Sequence, residues 1–87
     1  MKIALAKSKA GHDKGQIYLI YEENDLYVSL VNGDNKPIAS PKKKKKIHIQ
    51  PIYHLPKEVT SEVEEIDKLD DIIIRSILKN YRRTTDV

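Results

Sequence analysis

Residues 16–35 read QIYLIYEENDLYVSLVNGDN, two runs rich in β-branched and aromatic residues with a polar END at their junction. Such residues suit a pleated, half-buried surface, and the polar break supplies a reversal, so residues 16–31 predict an antiparallel hairpin. The NGDN that follows predicts a second turn, because Asn-Gly tolerates positive φ at both central positions. Upstream, KIALAK at residues 2–7 sets Ile3 and Leu5 on one face at strand period. Downstream, KPIAS at residues 36–40 predicts a short strand that Pro37 confines to an edge or a strand start, and KIHIQ at residues 46–50 predicts the last strand, stopped by Pro51. Four or five short strands in about 50 residues satisfy their edges by curling on one another, which predicts a mainly β chain built on a small barrel-like sheet.

The length of 87 residues leaves room for one such domain and an appendage, since burial becomes inefficient below about 60 residues. With five Tyr and neither Phe nor Trp, the core has to be aliphatic. Absence of Cys removes disulfides, thiolate nucleophiles and cysteine-based zinc or iron–sulfur sites. No apolar stretch approaches the ~18 residues of a membrane span or the core of a signal peptide, so the chain reads as a soluble, unexported, cytoplasmic protein with no membrane partner. Its net charge of +3 is unevenly distributed. Residues 1–56 hold ten Lys against five acids, or +5, and residues 57–87 hold six Lys or Arg against eight acids, or −2. A basic first part points to phosphate-bearing or acidic partners.

The appendage changes character at residue 53. Residues 53–68 carry Pro56, just behind Pro51, and a cluster of acids, predicting a connector with one short helical turn starting near Ser61, where Ser61 and Glu64 have capping-box spacing. Residues 69–83 predict a C-terminal helix, with Ile73, Ile74, Ile77, Leu78 and Tyr81 in one stripe, Asp70 as N-cap, and Lys79, Arg82 and Arg83 at the end favoured by the helix dipole. That stripe covers either one end of the barrel or another molecule. The domain plan is therefore a barrel over residues 1–52, the connector, and the helix.

Two basic segments carry the candidate chemistry. In the loop at residues 7–15, Gly11 and Gly15 permit close backbone approach, exposed amides between them can form an anion-binding concavity, and Lys7, Lys9 and Lys14 add cations. The segment lacks the Gly-Lys-Ser/Thr of a nucleotide-hydrolysing loop. Five consecutive lysines, Lys42, Lys43, Lys44, Lys45 and Lys46, form the second segment. Each lysine that neutralises a phosphate releases counterions, giving salt-dependent affinity with little sequence preference. This run feeds directly into Ile47 and Ile49, which the strand pattern turns toward the core while the lysines face phosphate. Tyr18, Tyr21, Tyr27 and Tyr53 can stack on unpaired bases or pack within the sheet. His12, His48 and His54 fit no short metal-ligand spacing, and no nucleophile has a recognisable base, so the reading includes no metal, no cofactor, no small-molecule substrate and no enzyme activity.

Residues 8–33, SKAGHDKGQIYLIYEENDLYVSLVNG, resemble a KOW motif, in which a basic glycine-containing loop precedes an alternating strand, with Gly15 at the motif's characteristic glycine. Within the KOW proteins the likeness is to the bacterial KOW-domain RNA-binding group, itself similar to certain archaeal and eukaryotic large-subunit ribosomal proteins. Three blocks carry it over nearly the whole chain: SKAGHDKG, PKKKKKIHIQP and LDDIIIRSILKNY. His12 stands where that group usually has Arg, and Ile3 where it usually has Gly. The resemblance implies an SH3-like β-barrel followed by a C-terminal helix. It further implies a non-catalytic module that binds structured RNA, ribosomal RNA above all, in association with ribosomal or transcription proteins and translation. The RNA-facing residues it implies are the loop set including His12, together with the five lysines. An alternative is a protein-interaction module that uses the barrel and the aliphatic face of residues 72–78.

Overall fold

The computed structural model describes residues 2–85. Five antiparallel strands, β1 (Leu5–Ser8), β2 (Ile17–Glu23), β3 (Tyr27–Val31), β4 (Lys42–Lys45) and β5 (Ile49–Ile52), form one sheet in the order β4-β3-β2-β1-β5. Two helices follow, α1 (Lys57–Glu64) and α2 (Asp71–Thr85). The chain is thus a small β sheet with C-terminal helical cover, and the sheet is not closed by pairing of its two edge strands.

Strand alternation builds two cores from the same strands. Ile52, Leu5, Leu19 and Val31 lie directly opposite one another across four strands, making an apolar row on one face. Val59 and Val63 of α1 and Ile74, Ile77 and Leu78 of α2 pack onto that row, with Ile3 at its margin. The neighbouring residues Ala6, Tyr18, Val28 and Leu30 point the other way and enclose a second cluster with Ile49. Each fully buried Leu or Ile contributes about 1.5–3 kcal/mol, so both helices are held chiefly by this burial. The aliphatic face proposed as a protein-docking surface is therefore spent internally at Ile74, Ile77 and Leu78, while Ile72 points outward.

The hairpin over residues 16–31 forms as expected. Asn24 Oδ1 accepts the backbone N–H groups of Leu26 and Tyr27 at 3.0 and 2.8 Å, which fixes the reversal. A bulge between Ile20 and Glu22 leaves Tyr21 as the extra residue of β2. At NGDN only Gly33 has positive φ, at 75°, so the double-positive turn expected from Asn-Gly is not the one adopted. Instead Asn32 Oδ1 accepts the N–H groups of Asp34 and Lys36, each at 2.9 Å, and the side chain does the turning. A Cβ at Gly33 would collide with the Asp71 carbonyl and the Arg75 side chain, because α2 begins against this turn.

Three further expectations are corrected. KPIAS is not a strand: Ser40 N–H bonds the Pro37 carbonyl at 3.0 Å in a turn, and Ile38 N–H is taken by Asp71 Oδ1 at 2.9 Å. The fourth strand is the lysine run itself, a poor strand former held by pairing to β3 and placed on a sheet edge, where charge discourages further pairing. KIHIQ does not enter the last strand as one piece, since Lys46–His48 form a single 3-10 turn that leaves Ile47 74% exposed while Ile49 is 3% exposed. Strand β5 then continues through Pro51 to Ile52, because on an edge strand proline's missing donor costs no ladder bond.

In the connector, α1 starts at Lys57 behind Pro56, four residues before the expected start, so Ser61 lies inside it and caps nothing. For α2 the Asp70 cap holds: its Oδ1 accepts Ile73 N–H at 2.8 Å, and its carbonyl opens the helical ladder to Ile74.

Candidate nucleic-acid interface

The loop between β1 and β2 is tied down by its own backbone. Ser8 N–H bonds the Gln16 carbonyl and Gly15 N–H bonds the Ser8 carbonyl, both at 2.9 Å, while Gln16 N–H bonds the Asp13 carbonyl and Lys14 N–H bonds Gly11. Gly11 and Gly15 have φ near 90°, a region costly to residues with a Cβ. The amides of Lys14 and Gly15 are thus committed to the loop's own carbonyls, which removes them from the expected anion-binding concavity. The side chains of Lys7, Lys9, His12 and Lys14 are all exposed on this loop.

In β4, Lys42 pairs with Leu30 and Lys44 with Val28, so these two lysines share the inward face of the second core. Buried ammonium groups require a counter-charge. Asp13 supplies it, with Oδ1 2.6 Å from Lys44 Nζ and Oδ2 3.0 Å from Lys42 Nζ. Lys44, its side chain 10% exposed, also donates to Ser8 Oγ at 2.7 Å and to the Ala10 carbonyl at 2.8 Å, which uses all three of its protons. The Ser8 hydroxyl lies 2.9 Å from Asp13 Oδ1, and the Tyr18 hydroxyl donates to Oδ2 at 2.9 Å.

Burial alone would raise the Asp13 pKa. Hydrogen bonds from Lys44, Lys42, Ser8 and Tyr18 outweigh it and hold the carboxyl well below the usual carboxylate range. Burial and the neighbouring Asp13 carboxylate push the Tyr18 hydroxyl up to about 12. Tyr18 is accordingly a packing and hydrogen-bonding residue, whereas Tyr53 and Tyr21 present ring surface to solvent.

The lysine run is divided by this arrangement. Lys42 and Lys44 turn in to Asp13; Lys43 and Lys45 are exposed, with Lys43 Nζ 4.5 Å from the centre of the Tyr27 ring; Lys46 pairs with Glu23 at 3.1 Å. The Lys9 N–H bonds the His48 carbonyl at 2.8 Å, tying the start of the loop to the 3-10 turn. Lys7 emerges on the opposite side of β1 from Ser8 and, with Gly15, lines a groove against Tyr81 and Arg82 of α2. Sequence reasoning missed Asp13, although an acid inside a basic glycine loop signals that some cation must be held there. It also credited the cations of α2 only with dipole compensation.

The helices segregate their charges. Glu62 of α1 accepts from Ser76 Oγ at 2.6 Å, and Asn80 Nδ2 donates to the Glu58 carbonyl at 3.1 Å, so the acidic helix covers one flank of α2. Arg75 and Arg82 line the other flank, and Lys79 borders grooves on both sides. No protein-family model matches the chain, and comparison with curated proteins gives no match.

Proposed function

We propose that the protein is a non-catalytic RNA-binding module of the KOW type, its sheet an SH3-like barrel, acting on structured RNA and foremost on ribosomal RNA in the cytoplasm. What supports the barrel reading is the connection between β4 and β5. They are the two edges of the sheet, yet a three-residue 3-10 turn joins them, so the sheet must roll for both to be reached. In a flat sheet β4 and β1 would stand about 14 Å apart, more than twice the reach of a lysine, and Lys44 nevertheless touches Ser8.

The observation that carries the RNA reading is the bonding of Lys44 to Ala10 and Asp13, which joins the lysine strand to the glycine loop and makes the two basic segments neighbours. Asp13 neutralises inward charge, so phosphate contacts belong to the outward set: Lys9, Lys14, Lys43 and Lys45. Ribosomal or transcription proteins are the further partners that this reading implies.

Salt-titrated binding of a structured RNA tests it. Lys43→Ala with Lys45→Ala should weaken binding and reduce the slope of log K against log salt by about 1.4–1.8, two phosphates' worth, without lowering the melting temperature. If the wild type fails to bind RNA even at low salt, the RNA reading is wrong and a protein partner becomes the better hypothesis.

A further inference from the structure

Arg75, Lys79 and Arg82 fall within an arc of about 60° on α2 and span about 10 Å along its axis. They are exposed and form one wall of a trough of about 490 Å³. The facing wall is the turn carrying Asn32 and Asn35, with Gln16 at the end nearest the glycine loop. Only Asp34 opposes the three cations within it. A second groove of about 410 Å³ continues from Arg82 to Lys7 and Gly15, so the trough and the loop share one margin.

We infer that this trough binds the sugar–phosphate backbone of an RNA helix, making α2 a second phosphate-contacting element beside the loop and lysine strand. The inference rests on the RNA-binding reading for the class of partner, but its residues are independent of that reading's lysines. Three cations in line match a row of phosphates, and the Gln16 amide and Asn35 Nδ2 offer hydrogen-bonding groups to phosphate oxygens and 2′-hydroxyls, while Asn32 Oδ1 and Nδ2 hold the turn in place. The residues lining the trough include no aromatic ring, so it is suited to backbone contact and not to stacking on unpaired bases. Glu62 of α1 holds Ser76 and shares with Lys79 and Arg83 the groove on the other side of Lys79, and no acid of α1 lines the trough itself.

The test uses the full chain and a fluorescein-labelled RNA hairpin. Arg75→Gln, Lys79→Gln and Arg82→Gln together keep the aliphatic stems, including the Arg75 stem beside Gly33, and should lower the salt slope by about 2–3 with an unchanged melting temperature. Asp34→Asn, which removes the opposing charge, should strengthen binding about three-fold at low salt, a gain that misfolding cannot produce. A wild-type slope in the triple variant, with no gain from Asp34→Asn, overturns the inference. If Lys43→Ala with Lys45→Ala still weakens binding in that case, the RNA reading stands and only the trough falls. Failure of the wild type to bind the hairpin at low salt overturns both. Binding of phosphatidylserine vesicles that the triple substitution abolishes, with RNA binding intact, assigns the trough to membranes and also overturns the inference.

Discussion

Asp13→Asn isolates the one charge on which the inward lysines depend. The amide keeps the carboxylate's shape and one acceptor oxygen, so Lys44 retains a hydrogen bond, but two ammonium groups lose their counter-ion. Lys44 has nowhere to go, its side chain being 10% exposed, whereas Lys42, at 32%, can swing toward water. Removing one partner of a buried pair costs about 3–5 kcal/mol. With the retained hydrogen bond and the escape of Lys42, about 3 kcal/mol is expected, which for a domain of this size lowers the melting temperature by roughly 10–25 °C. The dependence on pH has a definite sign. Asp13 is held below the ordinary carboxylate range in the folded protein, so its contribution is complete above about pH 4 and is lost as acid drives the pH lower. Urea titrations of wild type and variant should therefore show a gap that closes on acidification below about pH 4. Adding Lys44→Met to Asp13→Asn should recover part of the loss, since an apolar stem in that position leaves no unpaired charge. A variant within about 0.5 kcal/mol of wild type at neutral pH, or a gap that persists in acid, refutes Asp13 as the counter-ion of the inward lysines.

Gly33→Ala should destabilise the fold by about 2–5 kcal/mol in a urea titration, combining a left-handed backbone with overlap against the start of α2; a change below about 1 kcal/mol means that α2 does not rest on this turn. Tyr18→Phe should cost about 1.5–3 kcal/mol at neutral pH, the value of a hydrogen bond to a charged group. Because the Tyr18 pKa is raised to about 12, its protonated hydroxyl favours folding up to its ordinary value near 10, and that contribution is lost between about pH 10 and 12. Alkaline unfolding followed by circular dichroism should accordingly be less steep over that window in the variant.

The hairpin over residues 16–31 and the helix capped by Asp70 were legible because their signals are local: alternation with a side-chain turn in one, a 3.6-residue stripe with a cap in the other. The strand identity of Lys42–Lys45 was not, since lysine has little intrinsic liking for strands and the pairing partner lies more than ten residues away on β3. Pro37 and Ile38 misled for the opposite reason. Their local pattern permits an edge strand, but Asp71 captures the Ile38 N–H from 33 residues away, and a tertiary bond outweighs a weak preference. In the candidate site the cations were visible as residues, but their division was not, because burial of Lys44 follows from its register opposite Val28.

That register poses its own problem, because five identical residues contain no pattern by which a strand could choose which of them faces inward. A slip by one residue would present Lys43 and Lys45 to Asp13, chemically the same pair, at no cost that the run itself can register. The choice is made at the ends. Lys46 N–H is held by the Leu26 carbonyl at 2.9 Å at the tip of the hairpin, and three residues on Ile49 is buried in the second core. Sliding the run toward either end would expose Ile49 or stretch the 3-10 turn, costing about 1.5–3 kcal/mol for the isoleucine alone. Ile49 thus determines which lysines turn in to stabilise the sheet and which remain outward, and the exposed Ile47 marks where the turn absorbs the geometry that this anchoring requires.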